Sequence, residues 1–202
     1  MSLSSSDGQT IVRLARATLD RFVAGGRSER KSWKSGFLSE KRGVFTTLEL
    51  VESGEKLLRG CIGYTEPFMA LGEAVQETTI LAASQDPRFE PVQSGELDRI
   101  VVEVSVLTVP EVIQVSSRLE LPQKVKVGED GLIVSTPYQS GLLLPQVAVE
   151  NGWDSEDFLA ETCRKAFLMP DSWLDPRTTV KKFQAEVFAE DGPRGEVKRV
   201  AD

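Results

Sequence analysis

Cysteine, arginine and glycine meet in one short stretch, LRGCIGYTEP, at residues 58–67. Cys61 lies between Gly60 and Gly63, and a glycine lets the backbone turn sharply or lets another group approach it closely. In a strand alternate side chains share a face, so Arg59 would point the same way as Cys61, about 6.5–7 Å away. An arginine at that range favours the thiolate, which is the nucleophilic form of cysteine. The stretch predicts either a reactive thiol or a small apolar side chain that fills a tight corner.

The tetrapeptide DPRF is a second place where chemistry is conceivable. Asp86 can cap a turn, Arg88 offers a planar fork for a carboxylate or phosphate, and Phe89 follows directly. Glu103 is a lone carboxylate in an apolar strand, so we expect it to face solvent, a groove or a cation such as Arg59 or Arg88. These residues would serve equally well as a loop brace or as part of a binding site.

The remaining candidates belong to two predicted helices. Pro145 and Gln146 predict a helix start, where backbone N–H groups could receive an anion. Asp154 predicts the cap of a later helix. Cys163 lies on the apolar stripe of that later helix, so we predict that it is fully buried and chemically inert.

The chain contains no histidine, and this absence excludes several familiar sites. Cys–His and Ser–His–Asp arrangements and histidine-ligated metals are ruled out. Two cysteines without histidine cannot complete a structural zinc site, and no calcium-loop spacing occurs. We therefore predict no metal ligands, while a carboxylate site for magnesium or calcium stays open as an alternative. Any acid–base work must fall to Asp, Glu, Lys, Tyr or Cys.

Hydrophobic periodicity predicts the elements that would position these residues. A helix is expected before Gly25, a β-hairpin from residues 44–51 and 57–62, and a second helix over 67–83 with Pro67 in its first turn. Residues 124–136 read as a strand pair and residues 179–190 as one closing strand. Because the strands come as hairpins between helices, the pattern favours an α+β fold with a mainly antiparallel sheet and flanking helices.

Composition bounds the class of protein. The 202 residues suit a single domain, 1–202, or two lobes sharing a core, and 190–202 reads as a frayed tail. Neither a secretory signal nor a membrane span is recognisable, and the isolated cysteines favour the reducing cytoplasm. A net charge of −7 makes general nucleic-acid binding a poor expectation, although residues 1–42 are basic.

Several motifs together carry a family resemblance. RGVFTTL, LRGCIG, DPRF, VEVSVL and GLLLPQVAVENGWD occur in this order between about Ala15 and Val187. They resemble the family named for the Alport, midface hypoplasia and elliptocytosis chromosomal region, hereafter the AMMECR-type family. The signature positions of that family in this chain are Arg59, Gly60, Cys61, Ile62, Gly63, Asp86, Arg88, Phe89, Leu144 and Pro145.

The resemblance implies an α+β fold with a groove lined by the signature strand. It also implies an association with Memo-type and radical-SAM-type proteins, which points to a shared modification or redox pathway without identifying a reaction or a cofactor. Two functions of different class remain open. The protein is either a module that binds a small anionic ligand or a partner peptide, or an enzyme in which Cys61 is the nucleophile and Arg59 or Arg88 holds the substrate. A third function, regulation of nucleic acid, ranks last because of the net charge.

Overall fold

The computed structural model describes residues 2–25 and 32–200. The described helices and strands, in chain order, are α1 (Ser5–Val23), β1 (Val44–Glu52), β2 (Glu55–Tyr64), α2 (Leu71–Ser84), β3 (Ile100–Leu107), β4 (Glu111–Val112), α3 (Leu121–Lys124), β5 (Gly131–Ser135), β6 (Ser140–Leu143), α4 (Pro145–Glu150), α5 (Ser155–Lys165), β7 (Thr179–Phe183), β8 (Ala185–Glu190) and β9 (Val197–Arg199). Short 3₁₀ turns lie at Phe37–Ser39, Ser94–Arg99, Arg118–Glu120 and Ser172–Leu174. Every pairing whose register is described is antiparallel, which confirms the predicted α+β class.

The chain divides into two compact units, and the first is built from two separate segments. Residues 1–107 and 186–201 form this unit, and residues 108–185 form the second. The sheet of the first unit has the strand order β2-β1-β3-β8-β9, so β2 is an edge strand. Helices α1 and α2 pack against this sheet, and their apolar faces share one core with it.

Helix α1 shows how local sequence fixes an element of the first unit. The Ser4 hydroxyl accepts a hydrogen bond from the Asp7 N–H, and the Asp7 carboxylate accepts one from the Ser4 N–H, which makes a capping box. Ile11, Ala15 and Leu19 then recur at helical spacing and are fully buried. The sequence correctly predicts this helix and its end before Gly25.

The second unit has its own four-stranded sheet, in the order β4-β7-β5-β6. Its separate core is closed by α5, which buries Phe158, Leu159 and Cys163 completely. The Asp154 side chain accepts hydrogen bonds from the N–H groups of Glu156 and Asp157, as its position before the helix predicts. The predicted burial of Cys163 is confirmed.

The predicted hairpin and the second helix are both present, but the helix begins later than expected. Strands β1 and β2 contain all of the predicted residues and pair from Val44↔Tyr64 to Glu52↔Glu55. Helix α2 begins at Leu71 because Ala70 has an extended backbone and forms a bridge with Lys41. Pro67 therefore lies outside the helix, and its predicted place in the first turn is wrong.

Two strand predictions are wrong. Residues 179–190 form two strands of different sheets. Between these strands the Gln184 carbonyl accepts a hydrogen bond from the N–H of the loop residue Thr108, and the Gln184 N–H donates one to the Thr108 hydroxyl. Residues 124–130 do not form a strand. There the Asp130 N–H bonds to the Lys126 carbonyl and the Asp130 carboxylate receives the Lys126 N–H, which closes a turn. Strand β5 pairs with β6 and β7 instead.

The end of the chain also differs from its sequence prediction. From Asp191 onward the composition predicts a frayed tail, but Val197–Arg199 form β9 and pair with β8. The Asp191 N–H donates to the Glu196 carbonyl, and the Val200 N–H donates to the Val187 carbonyl, on either side of this pairing. The prediction of fraying is therefore wrong for residues 197–199.

Candidate functional site

A row of three polar side chains crosses the sheet of the first unit from its edge inward. Cys61 on β2 lies directly opposite Thr47 on β1, and Thr47 lies directly opposite Glu103 on β3. Side chains at directly opposed positions share one face of a sheet. The Thr47 hydroxyl donates a hydrogen bond to the Cys61 sulfur across 3.3 Å. We call Cys61, Thr47 and Glu103 the polar row.

Glu103 is the member of the polar row with unusual electrostatics. Partial burial raises the pKa of its carboxyl above the ordinary value, the charge of Glu49 raises it further, and Lys56 lowers it. Within residues 2–25 and 32–200, the Glu103 carboxylate makes neither a hydrogen bond nor an ion pair. The row thus places a thiol, a hydroxyl and a carboxyl that has no partner among the described residues on neighbouring strands of one half-buried surface.

The backbone of Cys61 is held by the DPRF loop. Its N–H donates to Asp86 Oδ2 across 2.8 Å, which satisfies a donor on an otherwise open sheet edge. Arg88 donates to the same carboxylate from Nε and Nη2, across 2.9 and 2.7 Å. These charged bonds from Arg88, together with the Cys61 N–H, outweigh burial and hold the pKa of Asp86 well below its usual range. The expected meeting of Arg88 with a carboxylate is therefore present in the form of Asp86.

Arg59 occupies a different position from the one that strand alternation predicts. The register steps from Leu48↔Gly60 to Glu49↔Leu58, so Arg59 is the extra residue of a β-bulge. The argument that it must share a face with Cys61 therefore fails. Its guanidinium binds Glu96, from Nε across 2.7 Å and from Nη2 across 3.1 Å, and these bonds lower the pKa of Glu96.

Both signature arginines, Arg59 and Arg88, contact the ring of Phe89. The guanidinium carbons of Arg59 and Arg88 lie 5.9 and 5.4 Å from its centroid, within the range of a cation–π contact. Arg59 also donates to the carbonyl of Glu90 across 2.8 Å. We call Arg59, Asp86, Arg88, Phe89 and Glu96 the edge cluster. It braces the β2 edge against the loop that follows α2.

The two glycines beside Cys61 are required by close packing. A Cβ on Gly60 would overlap the backbone carbonyl oxygen of Ala82 in α2, and a Cβ on Gly63 would overlap the ring of Phe45. Gly60 therefore lets α2 approach β2 backbone to backbone. The placement of Cys61 between two glycines thus follows from what packs around its strand.

The remaining predicted residues belong to the second unit. Pro145 is the first residue of α4 and is buried, and Gln146 follows it and is exposed. Helix α4 has only 6 residues, so its macrodipole is too small to make its N-terminus an anion site on its own. The signature position Leu144 is the residue before this helix and has an extended backbone.

Thr47 and Glu96 contact the signature residues and were not identified from the sequence. Thr47 is one of two consecutive threonines in β1, and only the observed register shows which of them faces Cys61. Glu96 lies in the 3₁₀ turn before β3, where it also accepts the Gln93 N–H. The one available signal for Glu96 was the capping-box spacing of Gln93 and Glu96.

The described residues contain neither a cluster of metal ligands nor a candidate membrane span. Across residues 2–25 and 32–200 no three or more Cys, Asp or Glu side chains are grouped so as to hold a metal ion. Within the same ranges no helix is both long enough and apolar enough to span a bilayer.

Comparisons with known proteins agree with the motif resemblance. The model of the AMMECR1 family matches residues 12–188. The chain is 52% identical to a protein of Thermococcus gammatolerans over 194 residues, covering 95% of this chain and 94% of that protein. It is 49% identical to protein MJ0810 of Methanocaldococcus jannaschii, covering 96% of each. The crystal structure of the uncharacterized protein PH0010 from Pyrococcus horikoshii is 50% identical, has a TM-score of 0.79, and aligns over 96% of this chain and 97% of its own. This chain belongs to the AMMECR1 family.

Proposed function

We propose that the protein is a binding module whose polar row receives a hydrogen-bond donor, of which an amine is the simplest form, from a small molecule or a partner's side chain. One observation carries this proposal, namely the half-buried carboxyl of Glu103 with no partner in the described residues. Burying a polar group away from water destabilises the protein unless the group gains a hydrogen bond. A donor on a bound ligand would supply that bond, and Thr47 and Cys61 lie beside it along the row.

An anionic ligand, which the sequence alone favours, has less support from the geometry. It would need Arg59 or Arg88, and both guanidiniums are already bound by carboxylates of the protein, Glu96 and Asp86. Releasing Arg88 would also leave the buried Asp86 without its main partner. The charge of the polar row itself is negative or neutral, which suits a donor better than an acid.

A thermal-shift experiment with defined probes tests this ligand class. Putrescine and butylamine represent amines, and succinate and phosphate represent anions. We expect an amine to raise the Tm of the wild type and of the exposed control variant Glu52→Gln, but not that of Glu103→Gln. If only the anions stabilise the protein, and Arg88→Ala abolishes that effect, the polar row is not the site. If no amine stabilises the wild type, the proposal fails.

A second function is favoured by a separate observation, the hydrogen bond from Thr47 to the Cys61 sulfur. A hydroxyl donor stabilises developing charge on sulfur. The carboxyl of Glu103 lies two strands from Cys61, so a proton would have to pass between them through water or a bound substrate. On this reading Cys61 is the nucleophile of an enzyme. Cys61→Ser separates the two functions, because an enzyme would lose turnover while still binding, whereas a binding module would keep its affinity within a few-fold.

Partners of the Memo type or the radical-SAM type are part of the same proposal, and they rest on the family resemblance. Co-purification of the full chain from its native cells, followed by mass spectrometry of bound proteins and small molecules, tests them. Recovery of such a protein with the wild type but not with Glu103→Gln would connect that partner to the polar row.

A further inference from the structure

Three large apolar side chains of the second unit are largely exposed to solvent. Tyr138 is 93% exposed, Phe167 is 86% exposed and Met169 is 70% exposed. Tyr138 lies in the turn between β5 and β6, and Phe167 directly follows the capping residue of α5. Gln139 Nε2 donates to the Phe167 carbonyl across 3.2 Å, which ties the turn to the helix end. We call Tyr138, Phe167 and Met169 the Phe167 surface.

Phe167 has a backbone conformation that its residue type rarely adopts. Its φ is +59°, in the left-handed region. The Phe167 N–H donates to the Arg164 carbonyl and the Leu168 N–H donates to the Cys163 carbonyl, each across 2.9 Å. This is the Schellman ending of a helix, in which the left-handed position usually holds glycine.

The Phe167 ring therefore stabilises neither the turn at the end of α5 nor the core of the second unit. Glycine would fit the backbone better, and a ring that remains in water contributes little to the burial of apolar surface. Residues held in an unfavourable backbone conformation occur more often at functional sites than elsewhere. Aromatic side chains and methionine are also the types enriched in protein interfaces.

We propose that the Phe167 surface docks into a concave apolar pocket of a partner protein. The three side chains are 70–93% exposed and belong to a turn and a helix end, so a concave counterpart can enclose each of them on several sides. Lys165 and Asp171 flank it in sequence, both are exposed, and neither forms an ion pair within the described residues. The partner pocket therefore carries an acidic group near Lys165 and a basic group near Asp171.

A second copy of this chain is a poorer occupant of the surface. Two aromatic side chains supply on the order of 150–250 Å² each, and with Met169 the surface offers roughly 500 Å². A stable interface buries about 800 Å² on each partner. Two surfaces of this size would bury only part of that area against one another, whereas a pocket encloses each ring on several sides. A membrane is also a poorer occupant because the chain has a net charge of −7 and would be repelled by anionic lipid.

The test begins with the immobilised full chain and an extract of its native cells. A protein retained by the wild type is purified and titrated calorimetrically against each variant. We expect Phe167→Gly and Tyr138→Ser each to weaken its Kd at least ten-fold, and Lys165→Glu to weaken it several-fold. Leu119→Ser removes a leucine that is 72% exposed and lies outside the surface, so this control should bind within two-fold of the wild type.

Misfolding is not a competing explanation for a loss of binding by Phe167→Gly. Glycine suits the positive φ, so we expect this variant to have a higher Tm than the wild type. Phe167→Asn, which also tolerates that conformation, should lose binding in parallel.

Three results would overturn the proposal. In the first, the retained protein binds the wild type and Phe167→Gly equally well, or no protein is retained by the wild type. In the second, sedimentation shows self-association of the wild type that Phe167→Gly abolishes, which would assign the surface to a second copy. In the third, vesicles of phosphatidylcholine and phosphatidylglycerol bind the wild type and not Phe167→Gly, which would assign it to a membrane.

Discussion

The two cysteines of this molecule lie in different surroundings, and the comparison shows how burial and polar neighbours change the properties of the same side chain. Cys61 is half-buried on an edge strand, with a hydroxyl donor at its sulfur and a carboxylate at its N–H. Cys163 is fully buried in α5, and burial raises the pKa of its thiol to about 11. Both regions nevertheless share one device, a strand glycine against the end of a helix, at Gly60 under α2 and at Gly141 under α5. Backbone packing is thus common to both regions, whereas the degree of burial and the polar neighbours distinguish the two cysteines.

The largest difference should appear in thiol labelling. Cys61 should react with iodoacetamide at pH 8 at least about 100-fold faster than Cys163, because Cys163 is enclosed and its raised pKa leaves little thiolate. Peptide mass spectrometry of the native protein measures both rates. In urea the two cysteines should label at similar rates, which is the control. Comparable rates in the native protein would remove the contrast between the two regions.

Substitution of either packed glycine should cost the most stability. Gly60→Ala and Gly141→Ala would each place a Cβ into helix backbone, at Ala82 and Ala166 respectively, and we expect a loss of about 2–3 kcal/mol in the free energy of unfolding. Urea denaturation measures it.

Gly95→Ala is the matched control for these glycine variants. A Cβ at Gly95 has open space around it, so its free energy of unfolding should stay within about 0.5 kcal/mol of the wild type. If Gly60→Ala behaves like this control, α2 does not constrain the strand that carries Cys61.

Truncation of the two cysteines should separate their structural roles. Cys163→Ala removes a sulfur from the core of the second unit, and we expect a loss of about 1–2 kcal/mol in the free energy of unfolding. Cys61→Ala should cost less than half as much because its side chain is only partly enclosed. An equal loss for both variants would mean that Cys61 is also a packing residue.

The smallest effect concerns Glu103 and depends on pH. Its pKa is raised in the folded protein, so its contribution to stability is most favourable at low pH and is lost as the pH rises through the folded pKa. Glu103→Gln should therefore stabilise the protein at pH 8, by about 0.5–1 kcal/mol, through relief of burial and of repulsion by Glu49.

The pH series provides the check on Glu103. The difference in free energy of unfolding between Glu103→Gln and the wild type should shrink as the pH is lowered to 4, where the wild-type carboxyl also becomes neutral. A gap that stays constant between pH 8 and pH 4 would show that the charge of Glu103 is not its cause.

The sequence correctly predicts the elements whose apolar period is regular. Helices α1 and α5 and the hairpin of β1 and β2 follow from spacing and capping residues alone. Strand breaks such as Gln184 were missed because β propensity continues through them, and only the contact with Thr108 reveals the break.

The candidate site was harder to predict because it depends on one extra residue. Counting back from the hairpin turn without a bulge would place Cys61 opposite Thr46. The bulge at Arg59 shifts the pairing by one and brings Thr47 to the thiol instead. Such a shift changes the face of every later side chain, and no local propensity encodes it. Hydrophobic periodicity also cannot predict long-range ion pairs, such as that between Arg59 and Glu96.

Because the first unit is built from two separate segments, its sheet cannot be completed early in translation. Strand β3 is complete at Leu107, but its neighbour β8 emerges only after the whole of residues 108–185 has been translated. At roughly 5–20 residues per second the nascent chain would wait on the order of 5–15 seconds for that neighbour. During this interval the edge of β3 presents unpaired backbone N–H and C=O groups to other chains, so the nascent protein depends on rapid folding of the inserted unit or on a chaperone.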